Sequence, residues 1–170
     1  MLVRAAAEPS ALVIGLDASA ASMADASRRA DRRGPRNVLF LAGGVEALAD
    51  GDQRFAAAAD LVTVTLPWGS LLRGVLGLDA PALRGMAAVA RAGARVEVLV
   101  SVVPSDHVAG VERLDRSMQP GITEAWHAAG LELTVLRPAT PEDLRSSGSS
   151  WARRLGSERP VWRLEGVRCR

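Results

Sequence analysis

The chain has 170 residues, 48% of them hydrophobic, and a formal charge of +2. That length and balance suit one domain with a real core. No apolar run is long enough to cross a membrane and no basic-apolar leader opens the chain. The lone Cys169 excludes an internal disulfide and has no Cys or His at metal-ligand spacing. These features point to a cytoplasmic, metal-free protein, with a monomer as the expected state. His107 and His127 lie far apart and read as structural or solvated.

All 21 basic residues are Arg. A GC-rich coding bias accounts for the missing Lys, and Arg-rich surfaces are ordinary in such a composition. Position is more informative. Arg28, Arg29, Arg32, Arg33 and Arg36 form one cluster, diluted only by Asp31. The tail from Arg145 to Arg170 holds seven Arg against Glu158 and Glu165. Arg forks onto phosphates and stacks on bases. Two basic clusters around a neutral body point to an anionic partner such as nucleic acid.

In chain order, Leu2 to Glu8 is a short helical stretch ended by Pro9. Ala11 to Leu16 reads as a buried strand with Asp17 at its carboxyl end. A helix is expected from Ser19 to about Arg32, placing the arginine cluster near its C-terminus, where cations are favoured. Asp17 either caps that helix or, as in nucleotide-binding α/β folds, binds ribose hydroxyls. Asn37 to Ala42 is the next strand. Gly43-Gly44-Val45-Glu46 is a loop, and a short helical stretch continues to about Ala59.

Leu61 to Leu66 is a strand that runs into Pro67-Trp68-Gly69. Ser70 is placed to cap a helix from Leu71. Trp68 then sits at a strand's carboxyl end, where ligands bind in open α/β sheets; a Trp turned into the core is the competing reading. Helical pattern covers Leu71–Leu76 and Ala80–Ala92. Arg95 to Val103 is a long strand, 104–119 a polar connection, Ile122 to Ala129 a helix and Leu131 to Arg137 a strand. A second long connection, 138–160, carries Trp151-Ala152-Arg153-Arg154 before the last strand, Val161 to Val167. Long connections in a compact domain are usually functional.

Strands alternating with helices give an α/β chain with a mostly parallel, doubly wound sheet. The helix-strand-loop-strand finish adds an antiparallel last strand. That is the pattern of the Rossmann-like class I S-adenosylmethionine-dependent methyltransferase fold. Leu66-Pro67-Trp68-Gly69-Ser70-Leu71-Leu72-Arg73-Gly74 and Ser149-Ser150-Trp151-Ala152-Arg153-Arg154-Leu155-Gly156-Ser157 resemble the signature stretches of the KamB/NpmA-type aminoglycoside-resistance methyltransferases. Those enzymes modify N1 of the decoding-site adenine, position 1408 of 16S rRNA. Val13 to Ala18 and Val45 to Leu48 fit the same family, and the resemblance runs from about Leu2 to Arg168.

The resemblance implies S-adenosylmethionine as cofactor and 16S rRNA within the 30S subunit as partner. It implies that Asp17 binds the cofactor ribose and that Val45 and Glu46 border its adenine. Ser70 and Ser149 would line the pocket near the methyl donor. Trp68 and Trp151 would sandwich the flipped adenine. Arg153, Arg154 and Arg159 would contact RNA phosphates, and Arg28, Arg29, Arg32, Arg33 and Arg36 would dock on the rRNA surface.

The family opens with a strand and a Gly-rich loop that holds the methionine end of the cofactor. Here no Gly-x-Gly precedes Asp17, and Met1 falls within what the family pattern makes the next helix. The expectation is a longer native protein, or a decayed gene product. The lost strand is central, between the strands ending at Asp17 and Leu66, so a gap or re-pairing is expected. Losing about five buried side chains at roughly 1.5–3 kcal/mol each is large beside a domain stability of about 5–15 kcal/mol. The expected result is no measurable cofactor binding by calorimetry. A non-catalytic RNA-binding remnant is the alternative function. A nicotinamide oxidoreductase lacks its dinucleotide fingerprint here, and a Ser hydrolase lacks its G-x-S-x-G elbow.

Overall fold

The structure is a computed structural model and describes residues 1–50, 55–149, 152 and 159–170, without the side chain of Asp50. The elements are α1 (Leu2–Ala7), β1 (Val13–Asp17), α2 (Ala20–Arg33), β2 (Val38–Ala42), α3 (Ala47–Asp50), β3 (Ala59–Thr65) and α4 (Gly69–Val75). They continue with α5 (Ala80–Val89), β4 (Ala90–Val100), α6 (Gln119–Ala128), β5 (Leu131–Pro138), α7 (Pro141–Ser146) and β6 (Trp162–Arg168).

The strands form two sheets. β1 and β2 pair in parallel, and the larger sheet has the order β3-β4-β6-β5. β3 and β4 are parallel, while β6 is antiparallel to both β4 and β5. This is the expected α/β plan with an antiparallel last strand. The expected break is present as well. Val13, Gly15 and Leu16 of β1 and Thr63, Val64 and Thr65 of β3 border one groove of about 490 Å³. Ile14, Leu16 and Leu39 of the small sheet stay exposed.

The main core is built on alternation. Val96, Val98 and Val100 of β4 pack with Val64, Leu83, Met86, Ile122, Leu131 and Leu164. Trp126 lies at its centre, fully buried, and its indole Nε1 donates to the Val75 carbonyl at 3.0 Å. Gly166 makes room for that ring, because a Cβ there would stand 2.7 Å from a ring carbon.

One close approach joins the small sheet to the body, and a polar cluster ties α1 to that sheet. α5 lies so close to the 43–46 loop that a Cβ on Gly85 would stand 1.9 Å from the Val45 carbonyl oxygen. The Asn37 amide nitrogen lies within hydrogen-bond distance of the carbonyls of Ala5, Glu8 and Ala11, tying α1 to β1.

Several boundaries differ from the sequence expectation, among them the end of β4, at Val100 and not Val103, and the start of α6, at Gln119 and not Ile122. The helix expected through Ala92 ends at Val89, and β4 begins at Ala90, paired with Ala59 across an irregularity before Leu61. α4 begins at Gly69 with Trp68 at its N-cap and no side-chain cap, so Ser70 lies inside the first turn and does not cap it. The 138–160 connection contains α7, nucleated by a capping box between Thr140 and Asp143.

Candidate active site

The turn after β3 is held by two left-handed residues. Leu66 has φ 51° and Gly69 φ 61°. Glycine accepts that conformation freely. For Leu66 it costs on the order of 1–3 kcal/mol, the kind of strain that clusters at functional sites. Its side chain is buried and its N–H donates to the Leu99 carbonyl at 2.7 Å, which holds the conformation in place. Pro67 stiffens the turn between them. The outcome is a Trp68 that is 59% exposed, on a backbone with little freedom. The core reading of Trp68 does not hold.

A second, smaller core lies directly beneath this turn. Leu66, Leu99, Ala152 and Val161 pack together, with Leu144 and Ala139 against them. Leu66 is two residues before Trp68, and Ala152 directly follows Trp151. Four apolar side chains therefore draw the two Trp-bearing stretches to one place. Trp151, Arg153 and Arg154 themselves lie outside the described residues. Ser149 is half-buried, and its hydroxyl oxygen accepts the Ala152 N–H at 3.2 Å.

Arg159 turns inward. Its Nε donates to the Ser101 hydroxyl at 2.9 Å, and its Nη2 donates to Asp106 in a short ion pair. Ser101 in turn donates to the Pro160 carbonyl at 2.6 Å. These bonds join the base of the 104–119 connection to the start of β6. Burial opposes the charge on Asp106, but the Arg159 guanidinium and the Val103 N–H outweigh it and hold the carboxyl below its ordinary value. Sequence reasoning points to Arg159 for phosphate contact and gives no sign of Asp106 or Ser101 as its partners.

On the small sheet, Asp17 ends β1 with an exposed carboxylate whose Oδ1 accepts the Ser19 N–H at 2.8 Å. The helix cap itself is Ser19, whose hydroxyl accepts the Ser22 N–H. The Gly43 N–H donates to the Asp17 carbonyl, closing the two strand ends together. Val45 is buried and Glu46 half-buried beside them. An exposed carboxylate next to a glycine loop fits the ribose hydroxyls of a nucleoside, while the Val45 side chain packs into the main core. Leu16 and Thr65, near the carboxyl ends of β1 and β3, line the groove between the two sheets, whereas Asp17, Val45, Glu46 and Trp68 are not among its lining residues.

Arg28, Arg29, Arg32, Arg33 and Arg36 are all exposed. α2 has no buried residue, and Arg28 pairs with Asp25 one turn back. The helical part of the cluster, Arg28 to Arg33, occupies the C-terminal half of α2, roughly 13 to 20 Å along the axis from Ser19.

A model of the family described as NpmA, 16S rRNA (adenine(1408)-N(1))-methyltransferase, matches residues 1–167. The chain belongs to this family. The 16S rRNA (adenine(1408)-N(1))-methyltransferase of Streptoalloteichus tenebrarius is 36% identical over 160 residues, which is 89% of this chain and 72% of that protein. The crystal structure of a variant of the 16S rRNA (adenine(1408)-N(1))-methyltransferase from Catenulisporales acidiphilia, with its cosubstrate SAM, superposes with a TM-score of 0.84 at 30% identity. It covers 99% of this chain and 80% of that one. The 16S rRNA methyltransferase KamB gives a TM-score of 0.82 at 32% identity, covering 99% of this chain and 82% of that one. The fold is thus that of the S-adenosylmethionine-dependent methyltransferases.

Proposed function

We propose that this chain carries the site that transfers a methyl group from S-adenosylmethionine to N1 of adenine 1408 of 16S rRNA, acting as a monomer on the 30S subunit in the cytoplasm. The observation that carries the proposal is the exposed Trp68 on its braced turn, over a core shared with the neighbour of Trp151. An enzyme acting on a base inside structured RNA must extrude it, at a few kcal/mol. Stacking on aromatic rings returns about 1–3 kcal/mol per base. Trp68 and Trp151 supply those faces, and Arg153 and Arg154 hold the distorted backbone. Arg159 contributes by fixing, through Asp106 and Ser101, the end of the 138–160 connection, the arm that carries Trp151.

S-adenosylmethionine, when bound, supplies a methyl group on a sulfonium. Adenine N1 carries a free lone pair, so the attack needs alignment and no general base. Asp17 would hold the ribose hydroxyls, Val45 and Glu46 the adenine edge, and Ser70 and Ser149 the space beside the reacting atoms. The arginines of α2 would dock on rRNA remote from the target. Relatives of this fold include an antibiotic-resistance methyltransferase and an aminoglycoside resistance methyltransferase; resistance is the proposed consequence of the same modification here.

The experiment incubates the chain with 30S subunits and millimolar S-adenosylmethionine bearing a labelled methyl group, then maps the label and the dimethyl sulfate reactivity of A1408. Label at N1 of A1408 is the expected result. The second reading is an RNA-binding protein without transfer. It predicts protection of A1408 with no label. Neither label nor protection refutes both.

A further inference from the structure

We infer that Asp143 is a positioning residue for the Trp151 arm, acting through a hydrogen-bonded relay that runs from the sheet to Ala152. The inference rests on the proposed base-stacking role of Trp151.

Arg137 of β5 and Arg163 of β6 are directly paired across the sheet. Two like charges opposite one another on neighbouring strands repel. Asp143 resolves the conflict from above. Its carboxylate accepts both terminal nitrogens of Arg137, at 2.6 and 3.1 Å, and stands 3.5 Å from Nη1 of Arg163. It also accepts the Thr140 N–H at 2.6 Å and the Thr140 hydroxyl at 2.8 Å. Arg163 continues the network to Glu97 on β4 and Glu165 on β6. One buried carboxylate thus locks α7 onto two strands, β5 and β6, and Arg163 extends the network to β4.

α7 is only six residues long, too short to be stable alone. A series of local bonds leads on from its C-terminal end. The Ser147 N–H donates to the Asp143 carbonyl. The Ser149 N–H donates to the Ser147 hydroxyl, and the Ala152 N–H to the Ser149 hydroxyl, each at 3.2 Å. Leu144 packs beside Ala152 and Leu66. The ionic anchor at Asp143 therefore sets where the arm meets the Trp68 turn. A serine-rich stretch with no anchor would have many conformations, and ordering it on RNA would weaken the clamp.

The test is hydrogen exchange of the free chain, read alongside 30S binding, for Asp143→Asn. The expected result is exchange at Ser147, Ser149 and Ala152 at least tenfold faster beyond any rise shared by the β4 and β6 amides, which reports the loss of global stability. Affinity for 30S subunits should stay within twofold, while protection of A1408 from dimethyl sulfate falls tenfold. Ser149→Ala should reproduce the faster exchange at Ala152 without touching the charge network. If Asp143→Asn does not fold, Arg137→Lys keeps the charge, breaks the bidentate pair and is expected to give the same pattern. Unchanged arm exchange in a folded variant overturns the inference. So does a parallel rise across β4, β6 and the arm, which marks a merely structural carboxylate. A wild-type chain that leaves A1408 unprotected refutes the base-stacking reading instead, with the exchange result still standing.

Discussion

Trp68 and Trp126 make opposite predictions from one residue type. Trp68 is 59% exposed and Trp126 fully buried. Full burial of a large apolar side chain contributes about 1.5–3 kcal/mol, so the covered part of Trp68 accounts for about 1 kcal/mol. Trp68→Ala is then expected to lower Tm by about 2–4 °C in a domain of this size. Trp126→Ala removes a core ring, at about 3–5 kcal/mol, and leaves the Val75 carbonyl without its donor, at about 1–3 kcal/mol more. Set against a stability of about 5–15 kcal/mol, that variant should be largely unfolded. The functional effect runs the other way. Losing a stack of about 1–3 kcal/mol lowers the flipped population about 5- to 150-fold. The assay is dimethyl sulfate reactivity of A1408 in 30S subunits saturated with protein, beside thermal melting. Trp68→Phe keeps an aromatic face and should retain most of the protection. A Trp68→Ala protein that melts as early as Trp126→Ala, or that protects A1408 as well as wild type, refutes the reasoning.

Acid should weaken the fold through two carboxylates. The Arg137 guanidinium holds Asp143 far below the usual range, against the opposing effect of burial and with help from Thr140, and Asp106 is lowered through Arg159. Native values below the unfolded ones mean that this stability is complete above about pH 4 and is lost as pH falls through the native values. Urea melts of Asp143→Asn should start lower at pH 7 and lose less between pH 5 and 2, and parallel curves would contradict the assignment. Replacing Arg29, Arg32 and Arg33 by Ala should leave Tm within about 1–2 °C, because these side chains are solvated. The same change should weaken 30S binding and lower its salt slope by about 1 for each phosphate no longer neutralised; an unchanged slope excludes the cluster from the interface. Gly85→Ala drives a methyl into the Val45 carbonyl at 1.9 Å, and backbone cannot yield as a side-chain tip can. A loss of at least about 1–3 kcal/mol is expected, with faster hydrogen exchange in β1 and β2, and a neutral result would mean that α5 does not hold the small sheet.

How far the sequence carried depended on the range of the interaction. The apolar run Leu61 to Leu66 located β3, because a buried strand leaves a local mark, and Arg95 to Val103 located the middle of β4, whose bounds are Ala90–Val100. The gap beside β1 was expected from the family resemblance alone, and the exposed Ile14 and Leu16 now mark the place. α7 has a local signature too, though the chain around it reads as a connection. Thr140-Pro141-Glu142-Asp143 is a helix start with its capping box and its Pro, hidden by the Ser and Gly beyond it. The Asp106–Arg159 pair spans 53 positions, and Asp143 meets Arg163 across 20. No spacing rule reaches so far, and a partner for either arginine appears only when the strands place the side chains together. That limit matters most for Arg159. Its position in a basic tail suggested an outward grip on phosphate, yet its Nη2 and Nε are already engaged by Asp106 and Ser101. An arginine that bonds inward can orient the arm that reaches the RNA, and Asp106→Asn tests which role it has. If Arg159 holds the arm, freeing it should cost A1408 protection; if it grips phosphate, freeing it should raise 30S affinity.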